Sequence, residues 1–309
     1  MAYGVQPALS GGGLLGAGRH YMSKLWDGYD PVAIARTGGI AFDDEFLNMG
    51  SIIQNVTSTD LSGYGAFTSN NSTTLATAVT GANIQGGGLL LQTSADDNAE
   101  AVLVGGGGTS FPWHFVIADE NDTWPYTHVA RLRFETRFRV SSVANNDIAF
   151  AFGFTGVAPQ TGFLAADSSA LLSTMDFVGF RTLQASAATL QFTYLENGST
   201  VQNLFTVGTI VANTWYKCGL DYDPLADPAE RISIWFDSGT GEVRQNTFVT
   251  AAQMAASTFP FSNDATTRPL AVCFAAKNGS AVTGGAQFIA SHVRIAMDPL
   301  IAADKEAIG

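Results

Sequence analysis

The sequence predicts an all-β protein, an antiparallel two-sheet β-sandwich or jelly roll with an extended N-terminal arm. Three observations predict it. Apolar residues recur with period 2 in short runs, at intervals of roughly 10–20 residues. Asn-Gly and glycine-rich turns, such as residues 196–199 and 237–241, divide those runs. No βαβ alternation interrupts them, and residues 250–256 supply the one plausible helical turn. Some twelve strands are expected.

Residues 1–40 differ in texture from the rest. Residues 10–18 carry too much glycine for a stable helix or a central strand. Residues 21–30 then crowd Tyr21, Met22, Leu25, Trp26 and Tyr29 into a short window. With Leu14 and Leu15, these side chains predict an arm that docks on its own domain or on a neighbour. The globular body is expected over 41–298, with its first strand near residues 40–46 and a short tail over 299–309.

Within the body, weak strands are expected in the Ser-, Thr- and Asn-rich segment 50–83, then firmer ones at 89–93, 101–104 and 115–117. Residues 131–140 form the cleanest strand. Leu132, Phe134, Phe138 and Val140 face one way, while Arg131, Arg133, Glu135, Arg137 and Arg139 face the other. In the next strand Ile148, Phe150, Phe152 and Phe154 alternate with Ala149, Ala151, Gly153 and Thr155. Such small residues on the outward side predict close cover by a loop, an arm or another subunit. An insertion at 159–174 precedes a strand at 177–180. Three alternating runs follow, at 190–194, 215–222 and 231–237, and read as antiparallel sheet; strands at 270–274 and 287–297 close the body.

Only 14% of the residues are charged, against 46% apolar, and the net charge is −12. A sparsely charged surface suits a protein that lies against other proteins. The negative charge argues against nucleic acid and anionic membrane as partners. No stretch reaches the roughly 18 apolar residues of a membrane helix. The start lacks the basic and apolar regions of a signal peptide, which predicts an unprocessed chain made in a cytoplasm. The Asn-x-Ser/Thr triplets at Asn55, Asn70, Asn71, Asn121, Asn197 and Asn278 then reflect loop composition, not glycans. Cys218 and Cys273 lie in separate strands and read as free thiols, with a disulfide between neighbouring strands as the alternative. The four histidines, His20, His114, His128 and His292, are scattered. No metal or cofactor is expected.

Several segments together resemble a known fold family. Phe42-Asp43-Asp44-Glu45-Phe46, the run 88–93 and the strand 131–140 look like parts of a concanavalin A-like (laminin-G-like) jelly roll. Residues 213–222 followed by 232–237 resemble that fold's late-strand hairpin. The texture, with 96–101 after the early strand, is similar to jelly-roll virion proteins of tailed bacteriophages, which include capsid decoration (cement) proteins and head fibres. The resemblance spans residues 41–298. It implies a non-enzymatic structural protein on the capsid exterior, assembled in the host cytoplasm. Its partner would be the major capsid protein and its assembly a homotrimer.

Candidate chemistry is sparse. A glycoside hydrolase on this sandwich needs two carboxylates about 5–9 Å apart, and no Glu-x-Asp-x-x-Glu run occurs. Asp221 and Asp223 are spaced to share a face, but Asp223-Pro224 reads as a turn. Two acidic clusters, 96–100 and 119–122, have oxygen ligands for Ca²⁺ but no EF-hand spacing, and read as solvated turns. Neither glycine run, 11–13 or 105–108, is followed by the Gly-Lys-Ser/Thr of a phosphate loop, and no Gly-x-Ser-x-Gly occurs. No residue is assigned a catalytic role.

Three groups remain as contact candidates. The arm residues Leu14, Leu15, Tyr21, Leu25, Trp26 and Tyr29 offer apolar area for a capsid or another partner. The ladder of Arg131, Arg133, Arg137 and Arg139 holds four of fifteen basic residues. It reads either as a docking face for an acidic partner surface or as internal pairing with acids on neighbouring strands. Trp113, Trp124 and Trp235 are surface aromatics suited to a protein interface or, in a lectin-like or host-attachment module, to a glycan.

Overall fold

The structure, a computed structural model, describes residues 24–26, 40–44, 53–54, 64–69, 76–78, 88–105, 115–116, 129–156, 163–165, 176–196, 203–223, 226–239, 242–245, 249–254, 269–279, 285 and 287–300. Among these, seventeen strands build two sheets that face each other as a sandwich. The first sheet runs β15 (Glu242–Gln245), β14 (Ile232–Asp237), β13 (Tyr216–Tyr222), β8 (Val129–Val140), β17 (Gln287–Leu300), β5 (Leu89–Gln92) and β4 (Ala76–Ala78). β1 (Ile40–Asp44) pairs the far half of β17, with Ile40 opposite Met297.

The second sheet begins with β12 (Asn203–Thr209), β11 (Ser186–Leu195), β10 (Phe177–Leu183) and β9 (Ile148–Thr155). It continues through β16 (Pro269–Asn278), β6 (Glu100–Gly105), β3 (Tyr64–Ser69) and β2 (Ile53–Gln54), with β7 (Phe115–Val116) on the end of β16. All described pairings are antiparallel except the two-residue contact of β2 with β3.

Alternation in β8 and β9 does what the sequence predicts. Phe134 and Phe138 point inward from the first sheet, Phe150, Phe152 and Phe154 from the second, and all are fully buried. Their rings meet at 5.0 Å for Phe138 with Phe152 and 5.3 Å for Phe134 with Phe154. Burying aromatic rings of this size supplies the largest single share of core stabilisation.

The small outward residues of β9 are covered by the chain's own insertion. Phe163 and Leu164 lie over Ala149, Ala151, Cys273 and Ala275 as a second cluster. Glu100 fastens them. Its carboxylate accepts the backbone N–H of Phe163 at 3.0 Å and that of Leu164 at 2.8 Å. Lys277, opposite Glu100 in register, donates to the Leu164 carbonyl at 2.8 Å. Of the three kinds of cover expected from the sequence, the described residues provide a loop. On the same sheet burial lowers the Arg181 guanidinium to about 10 and raises the Tyr194 phenol to about 12.

Both cysteines are free and buried. Cys218 lies in the core between the sheets and Cys273 under the Phe163–Leu164 cover, so they belong to different clusters and are not bridged. Burial pushes both thiols well above their usual range. The expected helical turn is present as Ala251–Met254. Thr250 and Gln253 cap each other there: the Gln253 N–H donates to Thr250 Oγ1, and the Thr250 N–H to Gln253 Oε1.

Two expectations need correction. The described residues form seventeen strands, not some twelve, because β12 and β15 carry no clear apolar alternation and the weakly patterned segment 50–83 supplies β2, β3 and β4. The three runs between 189 and 237 also do not share a sheet. The first is β11 of the second sheet and pairs with β12, whereas the other two are β13 and β14 of the first. Period-2 alternation tells which side of a strand is buried but not which sheet it joins, and either sheet buries the same face.

Candidate functional site

The outer face of the first sheet collects the charged and aromatic side chains. Strand register stacks them in rows across β13, β8 and β17. Asp221 lies opposite Arg133, Gly219 opposite Glu135, and Lys217 opposite Arg137. On the other side Arg133 meets Ala296, Glu135 meets Arg294, and Arg137 meets His292.

The four arginines divide into two pairs. Arg131 grips Asp221 with both ends of its fork, Nε to Oδ1 at 2.8 Å and Nη2 to Oδ2 at 2.6 Å. Its Nη1 also lies 3.3 Å from Asp223, and Arg133 Nε lies 3.6 Å from Asp221. Asp221 and Asp223 thus share one guanidinium. At the other end, Arg137 and Arg139 stack on Trp215, with guanidinium carbons 4.5 and 5.2 Å from the ring centroid. Arg131 and Arg133 pair internally with Asp221, and Arg137 and Arg139 lie over the Trp215 ring.

Between the two pairs lies a sealed carboxylate. Glu135 is 1% exposed. Its Oε2 accepts the Trp26 indole N–H at 3.1 Å, and its Oε1 lies 3.1 Å from His292 Nε2 and 3.5 Å from Arg294 Nη1. Ser291 Oγ stands 3.3 Å from the other ring nitrogen of His292. A 3-10 turn at Lys24–Trp26 brings Trp26 there. Leu25 drops into a notch made by Gly219, where a Cβ would lie 2.8 Å from Leu25 Cδ2 and 2.9 Å from the Phe134 carbonyl. Leu25, Trp26 and Ala296 form one apolar cluster, and Trp235 packs against it. Leu25 and Trp26 are thus docked on their own domain, one of the two placements expected for the arm.

Trp215 is half-buried, and Val211 four residues earlier is 58% exposed. The turn between them is fixed: the Val211 N–H donates to the Tyr216 hydroxyl at 2.7 Å, and the Asn213 N–H to the Val140 carbonyl at 2.7 Å. Lys217 pairs with Asp237 at 3.5 Å.

Other sequence candidates fare differently. Leu14, Leu15, Tyr21, Tyr29, Trp113, Trp124 and the acidic run 119–122 lie outside the described residues. Asp96 and Asp97 are exposed and form a turn with the half-buried Asn98, which stands at φ 61° and is locked by its N–H to the Asn278 carbonyl. Glu100 leaves that cluster for the loop clamp described above. Among the described residues, no group of three or more His, Cys, Asp or Glu is placed to hold a metal ion. No helix among them is long and apolar enough to cross a membrane. Trp215, His292, Arg294 and the Gly219 notch went unassigned in the sequence. The one local sign was Gly219 itself, a glycine inside a strand where close approach is usual.

Two antiparallel sheets with this strand order define the protein as a concanavalin A-like jelly-roll sandwich. Solved structures that share it include legume lectins. Winged bean acidic lectin, complexed with methyl-α-D-galactose, superposes with a TM-score of 0.51 at 11% identity, over 85% of this chain and 100% of the lectin. Winged bean basic lectin with Tn-antigen gives 0.49 at 11% identity, over 85% and 100%. A protein of unknown function from Shewanella oneidensis MR-1 gives 0.47 at 13%, over 84% and 87%. No protein-family model matches the chain, and no curated protein matches it. At these identities the likeness shows the fold alone.

Proposed function

We propose that this chain is a non-enzymatic carbohydrate-binding module whose contact site is the Trp215 end of the first sheet's outer face. One observation carries the reading: Trp215 is half-buried on a lectin-type sandwich, at the start of the interior strand β13, with two guanidiniums over its ring. Sugar rings pack on such flat surfaces while their hydroxyls meet nearby donors. Trp235, the earlier candidate, packs against the Leu25–Trp26 cluster, which favours Trp215 for this role. Asp221, Asp223 and Glu135 are each engaged by a cation, which suits a binding face better than a hydrolytic one.

A glycan array probed with the full chain tests it. Trp215→Ala is expected to weaken binding about tenfold, or ~1.4 kcal/mol, with the thermal midpoint nearly unchanged. Loss of binding in Trp113→Ala or Trp124→Ala with Trp215→Ala intact would move the site to those loops. A protein that binds no glycan ends this reading.

A second reading has its own observation. Leu25 and Trp26 clasp a sheet through apolar contact and one indole hydrogen bond, which is how an arm would also hold a neighbouring subunit. That favours a virion decoration protein bridging capsid subunits, stabilising the assembled state by binding it alone. Deleting residues 1–23 is then expected to weaken affinity for phage heads at least tenfold, about 1.4 kcal/mol. Unchanged affinity in a pull-down on stripped heads would remove the arm from the contact.

A further inference from the structure

We propose that this chain exchanges its arm with a second copy of itself, the Leu25–Trp26 plug of one copy entering the Gly219 notch of the other. The proposal is independent of the glycan reading. Every described wall of the receiving socket belongs to the body. Trp235, Gly219, Glu135 and Arg294 lie side by side across β14, β13, β8 and β17. Ala296 faces the same side, next but one to Arg294 on β17, and joins the cluster around the plug. Strand pairing sets that row, so each copy carries the socket whichever arm fills it.

The fit is specific to this arm. Leu25 and Trp26 are 3% and 7% exposed in the docked state. Leu25 fills space that a Cβ at position 219 would take, and the Trp26 indole N–H reaches the Glu135 carboxylate at 3.1 Å. The sequence contains a single Leu-Trp pair, and it is this one. An empty socket leaves a gap over Gly219 and takes the indole donor from an otherwise buried carboxylate, which is costly. The contacts that avoid this cost are the same whether the plug comes from the same chain or from a neighbour.

Chain length permits both sources. β1 begins at Ile40, level with Met297 and, through it, with Leu132. Glu135 lies about 10 Å further along β8, and β1 is two strands from β8, about 10 Å across. Docking within one chain therefore asks residues 27–39 to bridge about 14 Å. A segment of that length extends to about 45 Å. Gly28 follows the plug closely and Gly38-Gly39 precede β1, so both ends of the connection carry the residue that most readily redirects a chain. The surplus length reaches a socket on an adjacent copy. Because the contacts are conserved, concentration sets the balance, and a connection of this length gives an effective concentration on the order of millimolar. Dilute chains then dock their own plug, and copies held side by side exchange plugs.

The test uses two full-length variants. Leu25→Asp/Trp26→Ala breaks the plug and keeps the socket, whereas Ala296→Phe blocks the socket and keeps the plug. Nitrogen-15 label in Ala296→Phe lets the Trp26 indole N–H be followed by nuclear magnetic resonance. Alone, that N–H should exchange freely with water. Adding unlabelled plug-broken chain should shift its signal and slow its exchange at least about tenfold, and the mixture should sediment as a one-to-one dimer that neither variant forms alone. Wild type at about 1 mM should form a dimer that the plug-broken variant does not, a result that needs no change in the socket. Near-ultraviolet circular dichroism confirms the fold of each variant. Unchanged indole exchange in the mixture together with a monomeric wild type overturns the proposal and leaves the plug docked on its own chain. Dimers that survive breaking the plug overturn it in favour of another surface.

Discussion

Phe152→Ala is expected to destabilise the protein by about 3–5 kcal/mol, the usual cost of emptying a fully buried phenylalanine site. Phe152 sits where the sheets face each other. It reaches Phe134 at 6.3 Å, Phe138 at 5.0 Å and Phe288 at 5.8 Å on the first sheet, and Phe180 at 5.3 Å and Phe274 at 6.4 Å on its own. Neighbours on two sheets make the cavity hard to close. To collapse it, one sheet would have to move toward the other, and hydrogen bonds from β9 to both β10 and β16 hold its backbone in place. Phe152→Leu keeps much of the volume and should cost less than half as much. Urea unfolding followed by far-ultraviolet circular dichroism measures both. A loss below about 1 kcal/mol for the alanine variant would mean that the core relaxes around the gap.

The same alternation that places Phe152 was visible in the sequence, and the reason is local. In β8 and β9 each second residue contrasts sharply with its neighbour, so burial on one face is specified within ten residues. The small residues Ala149 and Ala151 were equally informative, since they are small because Phe163 and Leu164 lie on them. By contrast, β12 and β15 are edge strands with Thr, Gly, Glu and Gln among few apolar residues, and their pairing is set by the strand beside them. The outer face of the first sheet was legible only as a row of arginines. Their fates depend on register with residues far away in the chain: Asp221 is 90 positions from Arg131, and His292 is 157 from Glu135. Nothing within β8 distinguishes Arg133, which meets an aspartate, from Arg139, which meets a tryptophan. The split emerges only when β13 is laid alongside.

Removing the carboxylate of Glu135 is expected to be the most damaging change on that outer face. Glu135→Ala leaves a buried indole N–H and a buried His292 without their acceptor, at a cost of about 3 kcal/mol. The lower end of the usual range applies because the Arg294 side chain keeps 16% of its surface in solvent and can rehydrate. Trp26→Phe is the complementary change. It keeps a ring beside Ala296 and Trp235 but deletes the donor, and should cost about 1.5–3 kcal/mol, as for a hydrogen bond to a charged group. The two residues are 109 positions apart and meet at 3.1 Å, so their effects should not add. A double-mutant cycle from urea unfolding is expected to show about 1 kcal/mol or more of coupling. Hydrogen exchange at the Trp26 indole N–H gives an independent measure, with protection falling in Glu135→Ala. Zero coupling with unchanged protection would mean that Leu25 in the Gly219 notch holds the turn by apolar contact alone. The buried acid would then be serving other partners, His292 and Arg294 among them.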